Sequence, residues 1–270
     1  MNLKNLIQLL KEPFYAIVFI ASAFLTLCYI LLPIDVIFYF SAVIYPPVAI
    51  TPFIIYLAFF KTLRFSWEDK LSVLLFFTAI ASLSWAIGEI IWCYYYNLLL
   101  NIEVPYPSEA DIFYIAGDVL AVIGQSIYLM YLYKVIGPPL KGEEKILVSL
   151  VVAILSIIAG IALAYPLIYW YSEEEAAMIE IILDSLYLLL ELIMVIIALI
   201  GILVIRGRLG KVFLIILASN LLYFVYTIGF SYLDLAGLYY DGHPVELLDI
   251  FSSIADACAI YEAYKLAIER

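Results

Sequence analysis

Six carboxylates recur at matched spacing within apolar stretches. Asp111 and Asp118, Asp184 and Glu191, and Asp249 and Asp256 each stand seven residues apart. Seven residues is nearly two helical turns, so each pair shares one helix face. Glu89 adds a seventh acid in the same kind of setting. A carboxylate facing hydrocarbon costs at least about 2.5–3.5 kcal/mol, so these faces are expected to look inward. Buried acids of this kind can stay protonated, because burial disfavours the charged form. They can instead hydrogen-bond to tyrosine, Asn220 or water in a polar core, or hold a cation. The candidate ligand-binding set is therefore Glu89, Trp92, Tyr96, Asp111, Asp118, Asp184, Tyr187, Glu191, Asn220, Asp249 and Asp256.

Other chemistry is thinly represented. Asp241, His243 and Glu246 on one connecting stretch form a weak candidate set for a divalent cation. His243 is the sole histidine, so a multi-histidine metal centre is excluded. Cys28, Cys93 and Cys258 lie in apolar runs without metal or redox spacing and read as small buried hydrophobes. Ala116-Gly117-Asp118 shares only part of the Gly-x-Gly-Asp of intramembrane aspartyl proteases. No serine stands in a nucleophile motif with His243. An enzyme is thus the less favoured reading, and no cofactor can be named.

The elements that must hold these acids follow from composition. The 270 residues are 67% hydrophobic and 14% charged, and the mean hydropathy is +1.11. Soluble domains average about 45–50% apolar and about 25% charged. The composition excludes an ordinary cytosolic enzyme, a disulfide scaffold and a disordered regulator, and a net charge of −11 argues against nucleic acid. What remains is an all-α, polytopic membrane protein with the lipid bilayer as its first partner. Eight spans are expected near 14–32, 36–60, 70–99, 109–134, 146–170, 176–205, 211–232 and 247–267. Pro46, Pro47 and Pro52 are expected to kink the second. Ser108 with Asp111 reads as a capping box that opens the fourth.

Orientation follows from the thirteen Lys and Arg. Lys4 and Lys11 precede the first span, and Lys61, Arg64 and Lys70 follow the second. Lys134, Lys141 and Lys145 follow the fourth; Arg206, Arg208 and Lys211 follow the sixth; Lys265 and Arg270 close the chain. All fall on one side, which the positive-inside rule makes cytoplasmic, with both termini there. The other side carries Asp35, Glu103, Glu109, Glu173, Glu174, Glu175, Asp234, Asp241 and Glu246. Its aromatic boundary holds Trp92, Tyr94, Tyr95, Tyr96, Tyr169, Trp170, Tyr171, Tyr239 and Tyr240, read as an interfacial belt or a stacking surface. At 1.5 Å per residue, Asp118, Asp184 and Asp256 lie roughly 10–15 Å below that outer boundary.

Two halves, 1–137 and 138–270, read as parallel four-helix repeats. Asp111, Ile112, Phe113 and Asp118 match Asp249, Ile250, Phe251 and Asp256 at a constant offset. Trp85-Ala-Ile-Gly-Glu89, Pro105-Tyr-Pro-Ser-Glu-Ala-Asp111 and Gly237-Leu-Tyr-Tyr-Asp-Gly-His-Pro-Val-Glu246 carry a further likeness. In these stretches the chain resembles the eight-helix membrane sensor module at the N-terminus of prokaryotic GGDEF diguanylate cyclases and some histidine kinases. The resemblance implies a sensing role. Such modules feed a cytoplasmic output domain, whereas this sequence stops at Arg270, so a stand-alone form with a cytoplasmic or membrane signalling partner is expected. The expected function is a receptor-like protein in the cell membrane. It would bind a small ligand or cation in an outward-facing, acidic, tyrosine-rich cavity. The alternative is a secondary transporter or proton- or cation-coupled carrier that uses the intramembrane carboxylates.

Overall fold

The structure, a computed structural model, describes residues 12–102, 104–136, 142–170, 175–205 and 208–269. Lys4, Lys11, Glu103, Lys141, Tyr171, Glu173, Glu174, Arg206 and Arg270 lie outside the described residues, as do the side chains of Lys145, Tyr169, Trp170, Glu175 and Arg208. The described chain is helical and contains no strand. Helix α1 runs Pro13–Leu31, α2 Ile34–Ala49, α3 Thr51–Ala58 and α4 Phe60–Leu63. Helix α5, Lys70–Glu89, continues without a break into a π-helical stretch, Ile90–Leu100. Then follow α6 Glu109–Ile136, α7 Glu143–Trp170, α8 Glu175–Val204, α9 Arg208–Leu235 and α10 Glu246–Ile268.

Helix boundaries sit where the local chemistry puts them. Pro13 and Pro52 occupy first-turn positions, where the missing N–H is harmless. Pro46 and Pro47 are carried inside α2; the break comes at Ile50, between α2 and α3. Asp69 caps α5 by accepting from the Leu71 N–H at 3.0 Å. The Ser108 box forms: the Ser108 N–H donates to Asp111 Oδ2 at 2.7 Å, and Ser108 Oγ accepts from the Ala110 N–H at 3.3 Å. The loop before α10 turns at Gly242, whose φ of +88° suits glycine and whose missing Cβ leaves room for the Ile37 backbone.

Two antiparallel helix pairs carry the fold. In α5–α6, Gly88 lies against the Tyr114 ring, Gly117 against the Trp85 indole and Gly124 against Phe77, so the two chains run in opposite senses at close approach. In α9–α10, Ser219 bonds to Ser252 and Lys211 pairs with Glu262 at 2.9 Å. Helix α8 packs on both α6 and α9, with α7 on its far side, and α2 and α3 pack against α5 and α10.

One end of the bundle is basic. Lys61, Arg64, Lys70, Lys134, Lys211 and Lys265 gather there, over an apolar core of Leu71, Leu74, Tyr128, Val212, Phe213 and Ile260. Glu262 fastens this end: it accepts from Tyr15 and lies 3.2 Å from Lys265, which also reaches Glu12 at 2.8 Å. The loops 101–108 and 236–245 close the other end.

Six described helical stretches are long and apolar enough to cross a membrane: Pro13–Leu31, Ile34–Ala58, Lys70–Leu100, Glu109–Val135, Ile179–Val204 and Leu209–Asp234. Their outer faces present Ile17, Ile20, Phe24, Leu27, Ile112, Met130, Ile182 and Leu214. The other two expected spans fall on α7 and α10. Among the described residues of α7 a shorter apolar stretch runs Ser149–Ile158, and α10 carries Asp249, Asp256, Glu262 and Lys265 against its neighbours.

The glycine contacts make a prediction. A Cβ at Gly117 would come within 2.4 Å of the Trp85 indole nitrogen. Overpacking of this kind costs about 1–3 kcal/mol. Gly117→Ala is expected to lower the unfolding temperature of the detergent-solubilised protein, measured by intrinsic fluorescence, and an unchanged value would contradict this packing.

Candidate functional site

Between the α5–α6 and α9–α10 pairs, under the loops 101–108 and 236–245, lies an open cavity of about 750 Å³, counting its mouth. Its walls come from six elements. Helix α2 supplies Ser41 and Tyr45, α5 with its π-helical extension supplies Glu89, Trp92 and Cys93, and α6 supplies Asp111 and Tyr114. Helix α8 supplies Asp184 and Tyr187, α9 supplies Tyr223 to Ser231, and α10 supplies Glu246 and Asp249. The loops add Tyr106, Tyr239 and Asp241. Six carboxylic acids and seven tyrosines thus share one cavity, and no Lys or Arg lines it among the described residues.

The acids and tyrosines are paired. Tyr45 donates to Asp249 at 2.6 Å, Tyr114 to Glu89 at 2.9 Å, Tyr106 to Asp184 at 2.7 Å and Tyr187 to Asp111 at 2.8 Å. Glu246 accepts from Tyr29 at 2.8 Å, Tyr239 at 3.0 Å and the Gly242 N–H at 2.6 Å, and Asp241 accepts from the Trp92 indole at 2.9 Å. Neutral phenol and indole donors therefore do the work that Lys or Arg does in a buried ion pair. Burial and the adjoining Asp184 carboxyl push the Tyr106 phenol up, and burial with Glu246 does the same to Tyr239, so both stay protonated donors at neutral pH.

One wall is aromatic. Tyr223, Tyr226 and Phe230 follow helical spacing on one face of α9. Tyr223 stacks on Tyr226 with ring centroids 6.1 Å apart, and Tyr226 lies 5.9 Å from Phe230. Phe230 meets Tyr239 edge-on at 4.7 Å and Trp92 at 6.3 Å.

The acid pairs divide by depth. Asp111, Asp184 and Asp249 line the cavity, as do Glu89, Trp92 and Tyr187. Their partners two turns along do not. Asp118 and Glu191 are fully buried beneath it, bonded to Trp85 at 3.0 Å and Thr227 at 2.5 Å, and each keeps one oxygen without a partner among the described residues. Asp256 is buried beside Ser219. Asn220 turns away to bond Gln125 at 3.2 Å, and Tyr96 donates to Glu109 instead of lining the cavity. Glu89, Tyr114, Tyr223 and Asp249 also border a smaller, deeper recess with Trp85 and Ser252.

Asp241, His243 and Glu246 are not brought together as a metal set. No group of three or more His, Cys, Asp or Glu among the described residues could hold a metal ion. Physically, His243 Nδ1 accepts from the Val245 N–H at 3.1 Å, and burial holds the imidazole below its ordinary value. Both Glu246 oxygens are already taken by Tyr29, Tyr239 and Gly242.

Tyr45, Tyr106, Tyr114, Tyr226, Phe230 and Tyr239 were not among the residues selected from the sequence as ligand-binding. The spacing of Tyr223, Tyr226 and Phe230 was a usable signal, since it marks one helix face. Compared with known protein families, curated proteins and solved structures, the chain finds no match.

Glu246, where the loop joins α10 just outside the expected span, gives a pH prediction. Burial pushes its carboxyl up to about 8 from an ordinary 4.5. A folded value above the unfolded one means that its contribution is fully present below about pH 4.5 and is lost as pH climbs through about 8. Unfolding temperature is expected to fall across that window, and Glu246→Gln to flatten the fall. An identical slope in the variant would contradict the assignment.

Proposed function

We propose that this chain is a receptor-like protein of the cell membrane that binds a small ligand in the acidic, tyrosine-lined cavity. The observation that carries the reading is the cavity itself: six acids, each engaged by a neutral donor, around one open, aromatic-walled space. In this reading the bundle crosses the membrane eight times, with α7 and α10 as the remaining spans. At 28 and 23 residues, both have the length for it. The basic end faces the cytoplasm by the positive-inside rule, so both termini are inside and the cavity opens outward. The α5–α6 and α9–α10 pairs stand in equivalent places of two parallel four-helix halves, in line with the offset of the Asp111 and Asp249 stretches. The likeness of the stretches around Trp85, Pro105 and Gly237 to eight-helix sensor modules supports sensing through a signalling partner.

A carrier is the competing reading, favoured by the buried acids Asp118 and Glu191 below the cavity. Against it, the next layer toward the basic end is dominated by the apolar cluster of Leu74, Leu75, Phe213, Ile216 and Ile260, in which no described carboxylate stands. Full-length protein in liposomes loaded with a pH-sensitive dye separates the two. Under an imposed pH gradient, proton flux is expected to equal that of protein-free liposomes. Protein-dependent flux lost in Asp118→Asn would overturn the receptor reading in favour of the carrier.

A further inference from the structure

The hydrogen-bond directions around the cavity restrict what it can hold. Tyr45, Tyr106, Tyr114 and Tyr187 each point their one O–H at a carboxyl, and the Trp92 N–H does the same. A phenol has a single hydrogen to donate. What these groups still offer a ligand is acceptor character: phenol lone pairs and carboxyl oxygens. Asp249 accepts from Tyr45 through Oδ2 and Asp184 from Tyr106 through Oδ1, which leaves the other oxygen of each outside these bonds, on residues that line the cavity. Ser231 adds a shielded hydroxyl on the same wall, able to accept or to donate, with no partner among the described residues.

The second independent feature is the π surface. Tyr226 and Phe230 form a continuous aromatic face on α9, and Tyr226 lies close enough to Asp249 for the two to interact electrostatically. Acceptor oxygens beside aromatic faces, without a competing basic side chain, match the recognition of ammonium ions by cation–π attraction and charge pairing. An anion would meet the ionised carboxylates of the cavity with no Lys or Arg among the described lining residues to offset the repulsion. A neutral apolar ligand would cover the remaining carboxyl oxygens and leave them unpaired, at the cost of a buried polar group. A bare metal ion is poorly served, because the described acids do not converge three at a time.

Resting on the binding role proposed above, we infer that the ligand is an organic ammonium cation, with Asp249 as its counter-ion and the Tyr226–Phe230 face against its apolar part. Asp249 reaches this position from the α10 face that also carries Asp256, and Tyr45 holds its second oxygen in place.

Three probes of one shape and different charge test the inference on the full-length protein in detergent: phenethylammonium, neutral 2-phenylethanol and anionic phenylacetate. Quenching of tryptophan fluorescence reports occupancy, since Trp92 lines the cavity. The cation is expected to bind saturably, with the neutral and anionic probes weaker by about tenfold or more. Asp249→Asn keeps an acceptor for Tyr45 but removes the charge, and Tyr226→Leu removes the ring. Asp249→Asn is expected to weaken the cation by about tenfold or more while leaving 2-phenylethanol unaffected, and Tyr226→Leu, which removes part of the face against the shared phenyl group, to weaken both. An unfolding curve on each variant separates lost binding from lost folding. If a variant does not fold, the charge series on the unaltered protein still decides. Equal or tighter binding of the neutral or anionic probe overturns the ammonium inference and leaves the binding role standing. Absence of saturable binding by all three overturns both. Cation affinity unchanged in both variants overturns the assignment of Asp249 and Tyr226.

Discussion

The structure depends on how carboxylic acids are accommodated in a protein whose basic side chains collect at the opposite end. In the cavity the donors are mainly phenols, with the Trp92 indole and the Gly242 N–H, and most come from a different helix or loop than their acid. Tyr45 on α2 reaches Asp249 on α10, Tyr106 in a loop reaches Asp184 on α8, and Tyr187 on α8 reaches Asp111 on α6. Such bonds are directional, and a buried acid that loses its donor is costly. The acid–tyrosine pairs therefore act as ties between helices as well as the chemistry of the cavity. Cys93 and Tyr114 on one glutamate, Glu89, show the same economy within α5 and between α5 and α6.

The two ends of the bundle are built differently. The basic end is dry and apolar, closed by ordinary ion pairs between exposed and half-buried groups such as Lys265 with Glu12. Pairs of that kind are worth about a kcal/mol or less. The loop-bearing end is opened by a π-helical stretch after Glu89 that carries Trp92 and Cys93. Such insertions are frequent at functional sites because they redirect side chains without ending the helix. Between the ends lies the layer of Asp118, Glu191 and Asp256, acids packed among Trp85, Thr227 and Ser219. This layer separates the cavity from the apolar core.

The elements were more legible than the pairings. Long apolar runs marked the helices near their observed bounds, because a helix that meets hydrocarbon must be apolar over about 20 residues. The interrupted second span was legible from its prolines, and the start of α6 from Ser108 and Asp111. Asp111 shows a limit of that reading, because one side chain both caps α6 and lines the cavity. The seven-residue spacing correctly placed each acid pair on one face. Spacing along one helix does not say how deep the neighbouring helices close, so the lower member of each pair could not be separated from the upper. Tyr45, Tyr106 and Tyr114 escaped notice because tyrosine is common in this chain and its partners lie far away in sequence. Tyr96 and Asn220 were selected by type and found other partners, Glu109 and Gln125.

The receptor reading rests on an open, electronegative cavity, proposed to face outward. The most direct measurement is thiol modification of Phe230→Cys, a half-buried position on the cavity wall, with Cys28, Cys93 and Cys258 replaced by alanine, using membrane-impermeant methanethiosulfonates on intact cells. A cleft lined by one sign of charge raises the local concentration of the opposite sign by about tenfold or more. The account predicts modification from outside, with the cationic reagent faster than the anionic one by at least about that factor. Equal rates, a faster anionic reagent, or modification only after the cells are opened would contradict it.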